Sequence, residues 1–234
     1  MKVFHELSRM IFPTWCELCG GGGDHVVCQS CEEDLQRMDP PYCLICSEKM
    51  SSPNARTQDC HHCRDTSFSF DYIVASYQMN EPLRDLIHAL KYKRALYIST
   101  FLGKRMKLAF LDSRLADLDL SEWVITSVPL HFTRQRQRYF NQSEILAKAL
   151  AKEINTPYHK LLKRIRPTEQ QIRLTKFQRA KNVAKAFTSL KGSLPKKVIL
   201  VDDVFTTGST VNECAKVLRK EGVEIVIVIC LARK

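Results

Sequence analysis

Residues Val198 to Thr210 read VILVDDVFTTGST. An apolar run gives way to two adjacent aspartates, then to hydroxyl side chains around a single glycine. The run KVILV has the composition of a strand buried on both faces. The residues after the glycine, STVNECAKVLRKEG, carry a helical period that ends at Gly222. In a parallel α/β sheet, ligands bind at the carboxyl ends of the strands, and this corner is such an end. Free backbone N–H groups at the start of the helix favour a phosphate. Gly208 lets the backbone come close to it, and the hydroxyls of Thr206, Thr207, Ser209 and Thr210 add donors. Ionised Asp202 and Asp203 only accept hydrogen bonds. The corner therefore suits a ligand with a phosphate at one end and sugar hydroxyls at the other, as in ribose 5-phosphate.

Working outward, apolar strands alternate with amphipathic helices from Phe70 onward. FDYIVASYQM reads as a strand. EPLRDLIHALKY reads as a helix with Pro82 near its start and Leu83, Leu86, Ile87 and Leu90 on one face. A second helix is expected over 98–111, a strand over Trp123–Leu130, and a helix over NQSEILAKALAKEI capped by Asn141 or Ser143. The basic stretch 160–185 reads as part loop and part helix. VEIVIVICLA is a further all-apolar strand. This alternation predicts an α/β domain with a mainly parallel sheet flanked by helices.

Residues 1–68 differ in character. Eight of the ten cysteines lie there in four C-x-x-C pairs: Cys16/Cys19, Cys28/Cys31, Cys43/Cys46 and Cys60/Cys63. The start of the chain shows no secretory signal pattern, and no stretch is long and apolar enough to span a bilayer. A cytoplasmic location without membrane insertion is therefore expected. In that compartment paired cysteines read as metal sites. Tetrahedral Zn–S₄ is the simplest arrangement, with Cys16, Cys19, Cys28 and Cys31 as one quartet and Cys43, Cys46, Cys60 and Cys63 as the other. An interleaved pairing of the knuckles stays open. With four thiolates on each ion no coordination position is free, so two structural zinc ions are expected. The boundary is placed as 1–68 for the cysteine-rich module and 69–234 for the α/β domain. Cys214 and Cys230 read as core residues.

The charge is uneven. Between His131 and Lys185 there are 14 Lys/Arg against 3 Asp/Glu, which equals the formal +11 of the whole chain. Such a segment points to a phosphate-bearing partner, or else to a solvated basic face.

The corner at 198–210 resembles the phosphoribosyl-diphosphate (PRPP) motif of type I phosphoribosyltransferases. More of the chain is similar to one branch of that group, the ComF competence proteins. SVPLHFTRQRQRYFNQSEILAKAL, RIRPTEQQIRLTKFQRAKNVAKAF and HALKYK resemble successive segments of that family, and the paired C-x-x-C motifs fit its double zinc ribbon. Tyr139 stands where the family usually carries glycine. The resemblance implies that Asp202 and Asp203 hold the ribose and serve the transfer chemistry, and that Thr206, Thr207, Gly208, Ser209 and Thr210 hold the 5′-phosphate. It also implies cations for the diphosphate: Arg134, Arg136 and Arg138, then Lys91, with Arg173 and Arg179 on a lid. Mg²⁺ is expected to arrive with the PRPP. Threonine at 206, where 6-oxopurine salvage enzymes carry an aspartate, disfavours that substrate class. Only Leu231 to Lys234 follow the final strand as read, so no C-terminal hood is expected.

The implied cellular role is DNA uptake in natural transformation, with a helicase-like ATPase as partner. Single-stranded DNA would track the basic segment, stacking on Phe132, Tyr139, Phe140 and Phe177. The alternatives are a metabolic phosphoribosyltransferase acting on an unidentified acceptor, and a PRPP sensor without turnover.

Overall fold

The computed structural model describes residues 15–52, 57–64, 66–93, 95–167, 176–190 and 192–234. Its centre is a four-stranded parallel sheet of β1 (Tyr72–Gln78), β2 (Trp123–Ser127), β5 (Lys197–Phe205) and β6 (Ile225–Arg233), in the order β1-β6-β5-β2. A single parallel bridge from Ile125 to Tyr158 extends the β2 edge. Two short strands, β3 (Leu162–Arg164) and β4 (Phe187–Ser189), form a separate antiparallel pair.

The alternation of side chains along β5 and β6 fills two cores, as period-2 geometry requires. Ile199, Val201, Ile227, Ile229 and Leu231 face a core built with α1 (Glu81–Tyr92), α2 (Ile98–Met106) and α4 (Gln142–Glu153). Val198, Leu200, Val226, Val228 and Cys230 face a second core with α6 (Ser209–Lys220) and the β3–β4 pair. Cys214 and Cys230 are buried in this second core. The helix expected over 98–111 ends at Met106 and tightens into a 3₁₀ turn, Lys107–Leu111. The final strand runs to Arg233, so the residues read as a short tail belong to the sheet.

Three Cys residues of the cysteine-rich segment, Cys43, Cys46 and Cys60, are part of the second core, packed with Phe70, Ile73 and Phe205. One main-chain and one side-chain hydrogen bond help tie this segment to the sheet: the Ile73 N–H donates to the Ile45 carbonyl (2.8 Å), and Arg233 Nε donates to the Cys46 carbonyl (3.0 Å). Local composition gave no sign of this burial, because the fully buried apolar partners, Phe70, Ile73 and Phe205 among them, come from the α/β domain.

Side-chain caps set where two of the helices begin. Asn80 caps α1 by accepting from the Leu83 N–H, and Asn141 caps α4 by accepting from the Ser143 N–H. The α2 and α4 helices touch at Gly103, where an added Cβ would lie 2.2 Å from the Ala149 Cβ. Gly103→Ala must push α4 away from α2. Overpacking of this kind costs about 1–3 kcal/mol, and the better helix propensity of alanine returns less than about 1. A net destabilisation of about 1–2 kcal/mol is expected in urea unfolding, and an unchanged midpoint would contradict the packing.

Candidate functional site

At the carboxyl end of β5 the chain opens into a cleft of about 510 Å³. Its wall includes Asp202, Asp203 and all of Thr206 to Thr210, together with Lys91, Arg134, Arg138 and Arg164. Loop and acidic pair therefore share one cleft, as the local sequence pattern led one to expect.

The acidic pair lies within the strand rather than beyond it, and the Asp203 side chain is almost wholly buried. Strand alternation sends the two carboxyls different ways. Asp203 Oδ2 is ion-paired with Lys91, which reaches it from the last turn of α1. Asp202 Oδ1 accepts from Ser143 Oγ (2.8 Å) and from the Asp203 N–H (3.0 Å). Burial pushes the Asp202 carboxyl up to about 7, with the neighbouring Asp203 charge adding to it. Burial also pushes Asp203 upward, but the charge and hydrogen bond of Lys91 outweigh this and hold it below the usual carboxylate range. Lys91, read as a diphosphate ligand, thus faces the acidic pair in this structure.

Gly208 sits in the left-handed region at φ +74°. A Cβ there would meet the Phe205 ring at 2.6 Å and Phe68 at 3.1 Å, so both the conformation and the space call for glycine. Thr207 Oγ1 and Ser209 Oγ are 2.9 Å apart. Under the loop lies an aromatic platform: Phe68 stacks on Phe70 at 4.6 Å, Phe205 meets Phe70 edge-on at 6.1 Å, and His62 stacks on Phe68 at 6.0 Å. The Arg233 guanidinium covers Phe205 at 5.1 Å while bonding to the Cys46 carbonyl. The second cysteine quartet is therefore two contacts away from the loop.

The expected cations divide. Arg134 and Arg138 lie one helical turn apart on α3 (Phe132–Arg138) and line the cleft. Arg136, two residues from each, points elsewhere: it is exposed, with its guanidinium 5.7 Å above the Phe132 ring. Arg138 donates to Gln142 Oε1 (3.2 Å) and to the Tyr92 hydroxyl (3.1 Å). Arg164 on β3 was not singled out from sequence, yet it lines the cleft and stacks over Phe187 at 5.2 Å. Burial lowers its pKa to about 10, with repulsion from Arg134 next in size. A half-buried arginine inside the run LLKRIR carries no local mark that separates it from exposed neighbours. Arg173 lies outside the described residues, as does the side chain of Arg179, whose backbone belongs to α5 (Lys176–Val183). Tyr139 has φ +67°, the left-handed conformation that glycine accepts freely, so the loop keeps its turn despite the tyrosine.

The eight paired cysteines form two quartets, Cys16/Cys19/Cys28/Cys31 and Cys43/Cys46/Cys60/Cys63, with the sulfurs of each within 4.8 Å of one another. The open question of pairing thus resolves to consecutive knuckles. Sulfur separations are 3.8 Å for Cys19–Cys28, 3.7 Å for Cys43–Cys63 and 3.6 Å for Cys46–Cys60. A tetrahedron with Zn–S bonds of about 2.3 Å has edges of about 3.8 Å. The donors thus fit structural zinc, which all four thiolates of each quartet would hold with no position left for chemistry.

Fold, cleft and cysteine quartets together define a phosphoribosyltransferase-type domain joined to a double zinc ribbon. The phosphoribosyl transferase domain family matches residues 141–234, and the double zinc ribbon domain family matches residues 7–65. The chain is 35% identical to Competence protein F of Haemophilus influenzae, over 88% of this chain and 90% of that one. It is 30% identical to DNA utilization protein YhgH of Escherichia coli K12, over 94% and 97%. Among solved structures it is similar to the allosteric regulatory enzyme of purine biosynthesis, with 22% identity and a TM-score of 0.38, covering 58% of this chain and 25% of that one. The chain belongs to the ComF family of competence proteins.

The two quartets differ in surroundings. Cys43, Cys46 and Cys60 are core residues, whereas Cys19 is exposed and Cys28 and Cys31 are half-buried. Metal analysis is expected to find about two zinc per chain. Cys46→Ser should lower this to about one and unfold the α/β domain with it, because zinc binding supplies folding free energy. Cys19→Ser should lose a zinc with little change in the main thermal transition. Equal melting of the two variants would contradict the asymmetry.

Proposed function

We propose that this chain is a competence protein of DNA uptake whose cleft binds PRPP. The observation that carries the reading is the convergence of three chemistries on one cavity: amide and hydroxyl donors, an acidic pair, and a cluster of arginines. Thr206 to Thr210 would hold the 5′-phosphate, and Asp202 and Asp203 would accept from the ribose hydroxyls. Arg134, Arg138 and Arg164 would face the diphosphate, with Lys91 free to join them once the sugar approaches Asp203. The cleft wall carries Arg84, Lys91, Arg134, Arg138, Arg164 and Lys234 against two carboxylates, which favours a ligand of several negative charges. Mg²⁺ would neutralise part of the diphosphate and be held mainly by the ligand's own oxygens.

If the site turns over, a nucleophile bonds to the anomeric carbon while the carbon–oxygen bond to diphosphate breaks. The electron pair leaves with the diphosphate, and the arginines stabilise it. Binding without turnover would make the same cleft a sensor. The competence role rests on the named relatives, and no helix among the described residues is long and apolar enough to cross a membrane. A single-stranded DNA surface is supported by Phe132 (61% exposed) and Tyr139 (70% exposed) beside Arg136. Phe140 instead packs partly into the first core, and the Phe177 side chain lies outside the described residues. The helicase-like ATPase partner belongs to this proposal, as does a cytoplasmic site of action.

Calorimetry with PRPP tests the cleft. Asp202→Ala combined with Asp203→Ala is expected to abolish binding while zinc content stays unchanged, and retained affinity would remove the site. Arg136→Ala should weaken single-stranded DNA binding and flatten its salt dependence without altering PRPP affinity. Diphosphate release from PRPP decides between transferase and sensor.

The raised Asp202 pKa sets a pH dependence. A protonated carboxyl loses acceptor capacity towards the ribose, so affinity must fall as pH drops through about 7. Linkage gives roughly tenfold tighter PRPP binding at about pH 8 than at about pH 6, a difference that Asp202→Asn should flatten. The same profile in Asp202→Asn as in wild type would show that another group titrates.

A further inference from the structure

Three consecutive residues at the start of α4 each make a different bond into the site. Asn141 Nδ2 donates to the Val128 carbonyl (2.9 Å), fixing the helix start to the end of β2, while its Oδ1 accepts from the Ser143 N–H (3.2 Å). Gln142 Oε1 accepts from Arg138 (3.2 Å). Ser143 Oγ donates to Asp202 (2.8 Å). All three residues are buried, with Ser143 only 1% exposed, and Gln142 and Ser143 reach the cleft wall. Helix-capping chemistry accounts for Asn141 alone. It does not account for a buried glutamine amide directed at a guanidinium or a buried hydroxyl directed at a carboxylate.

We propose that Gln142 and Ser143 are positioning residues, which hold the diphosphate-facing Arg138 and the ribose-facing Asp202 at a fixed separation on one rigid helix start. This inference rests on the PRPP reading of the cleft. The geometry explains why the two ligand-binding groups come from elements with no direct connection: Arg138 ends α3, and Asp202 lies on β5. At the end of a short helix the long Arg138 side chain has many rotamers, and the shorter Asp202 side chain on its strand has a few. Bonds from a common, capped helix start remove that freedom before the ligand arrives.

Ser143 also bears on the charge of Asp202. The groups facing that carboxylate are Asp203 on its own strand, Lys91 from α1, Arg164 from β3, and the buried Cys214 and Cys230 thiols from α6 and β6. Arg138 from α3 lies towards Asp203. Against this background the hydroxyl donates to the ionised form and favours it.

The test compares PRPP with ribose 5-phosphate by calorimetry across about pH 6 to 8.5. Ser143→Ala removes one oxygen and adds no volume. It should weaken both ligands about tenfold at neutral pH, because a hydrogen bond to a charged group is lost. It should also move the midpoint of the PRPP profile up by about one pH unit. Gln142→Ala should weaken PRPP about five- to tenfold and leave ribose 5-phosphate unchanged, because only the former carries the diphosphate. This arm stands even if Ser143→Ala does not fold. A general packing role predicts equal losses for both ligands in both variants with an unmoved midpoint, and that pattern overturns the proposal. Wild-type protein that binds neither ligand at any pH overturns the PRPP reading beneath it.

Discussion

Two carboxylates side by side at the end of a buried strand are expensive to keep ionised, and most of the site can be understood as the answer to that cost. Low-dielectric surroundings raise both carboxyls, and the charge on Asp203 raises Asp202 further. The protein answers asymmetrically. Asp203 receives a full positive charge from Lys91, and Asp202 receives a hydroxyl and a backbone amide. One member of the pair is thereby held below the usual carboxylate range, while the other is left raised to about 7. The last turn of α1 and the first turn of α4 have to meet over the end of β5 to deliver those groups, and the first core exists where those helices pack.

The second core does a different task. It places an aromatic floor beneath the loop Thr206 to Thr210, and it draws that floor from both parts of the chain. Phe205 and Phe70 come from the α/β domain, His62 and Phe68 from the end of the cysteine-rich segment and the turn just after it. The absence of a Cβ at Gly208 is what lets the loop rest on this floor.

What the sequence revealed and what it concealed divide along the range of the interactions. The strand–turn–helix corner is local: apolar run, acidic pair, glycine and helical period all lie within about 25 residues, so the element order could be read there and a ligand class proposed from it. The C-x-x-C pairs are equally local. Arg136 groups with Arg134 and Arg138 by its place in the chain, all three following one strand, but helical phase separates it: residues four apart share a face, and the one between does not. Ser143 read as a candidate cap, and nothing near it in sequence points to a carboxylate 59 residues away. The β3–β4 pair escaped notice because LKR and FTS are three residues each and carry no usable alternation. Burial of the second quartet was hidden for a related reason: its fully buried partners Phe70, Ile73 and Phe205 lie just before β1, on β1 and at the end of β5.

The shared core also limits how this chain can be cut. A fragment starting at residue 69 would leave Phe70, Ile73 and Phe205 bare along the sheet face that Cys43, Cys46 and Cys60 now cover, and Arg233 would lose the carbonyl that holds it over the Phe205 ring. Such a truncation exposes a sticky hydrophobic strip next to the loop Thr206 to Thr210. The ribbon nearest the sheet is in this sense a lid nailed to the box rather than one hung from a hinge.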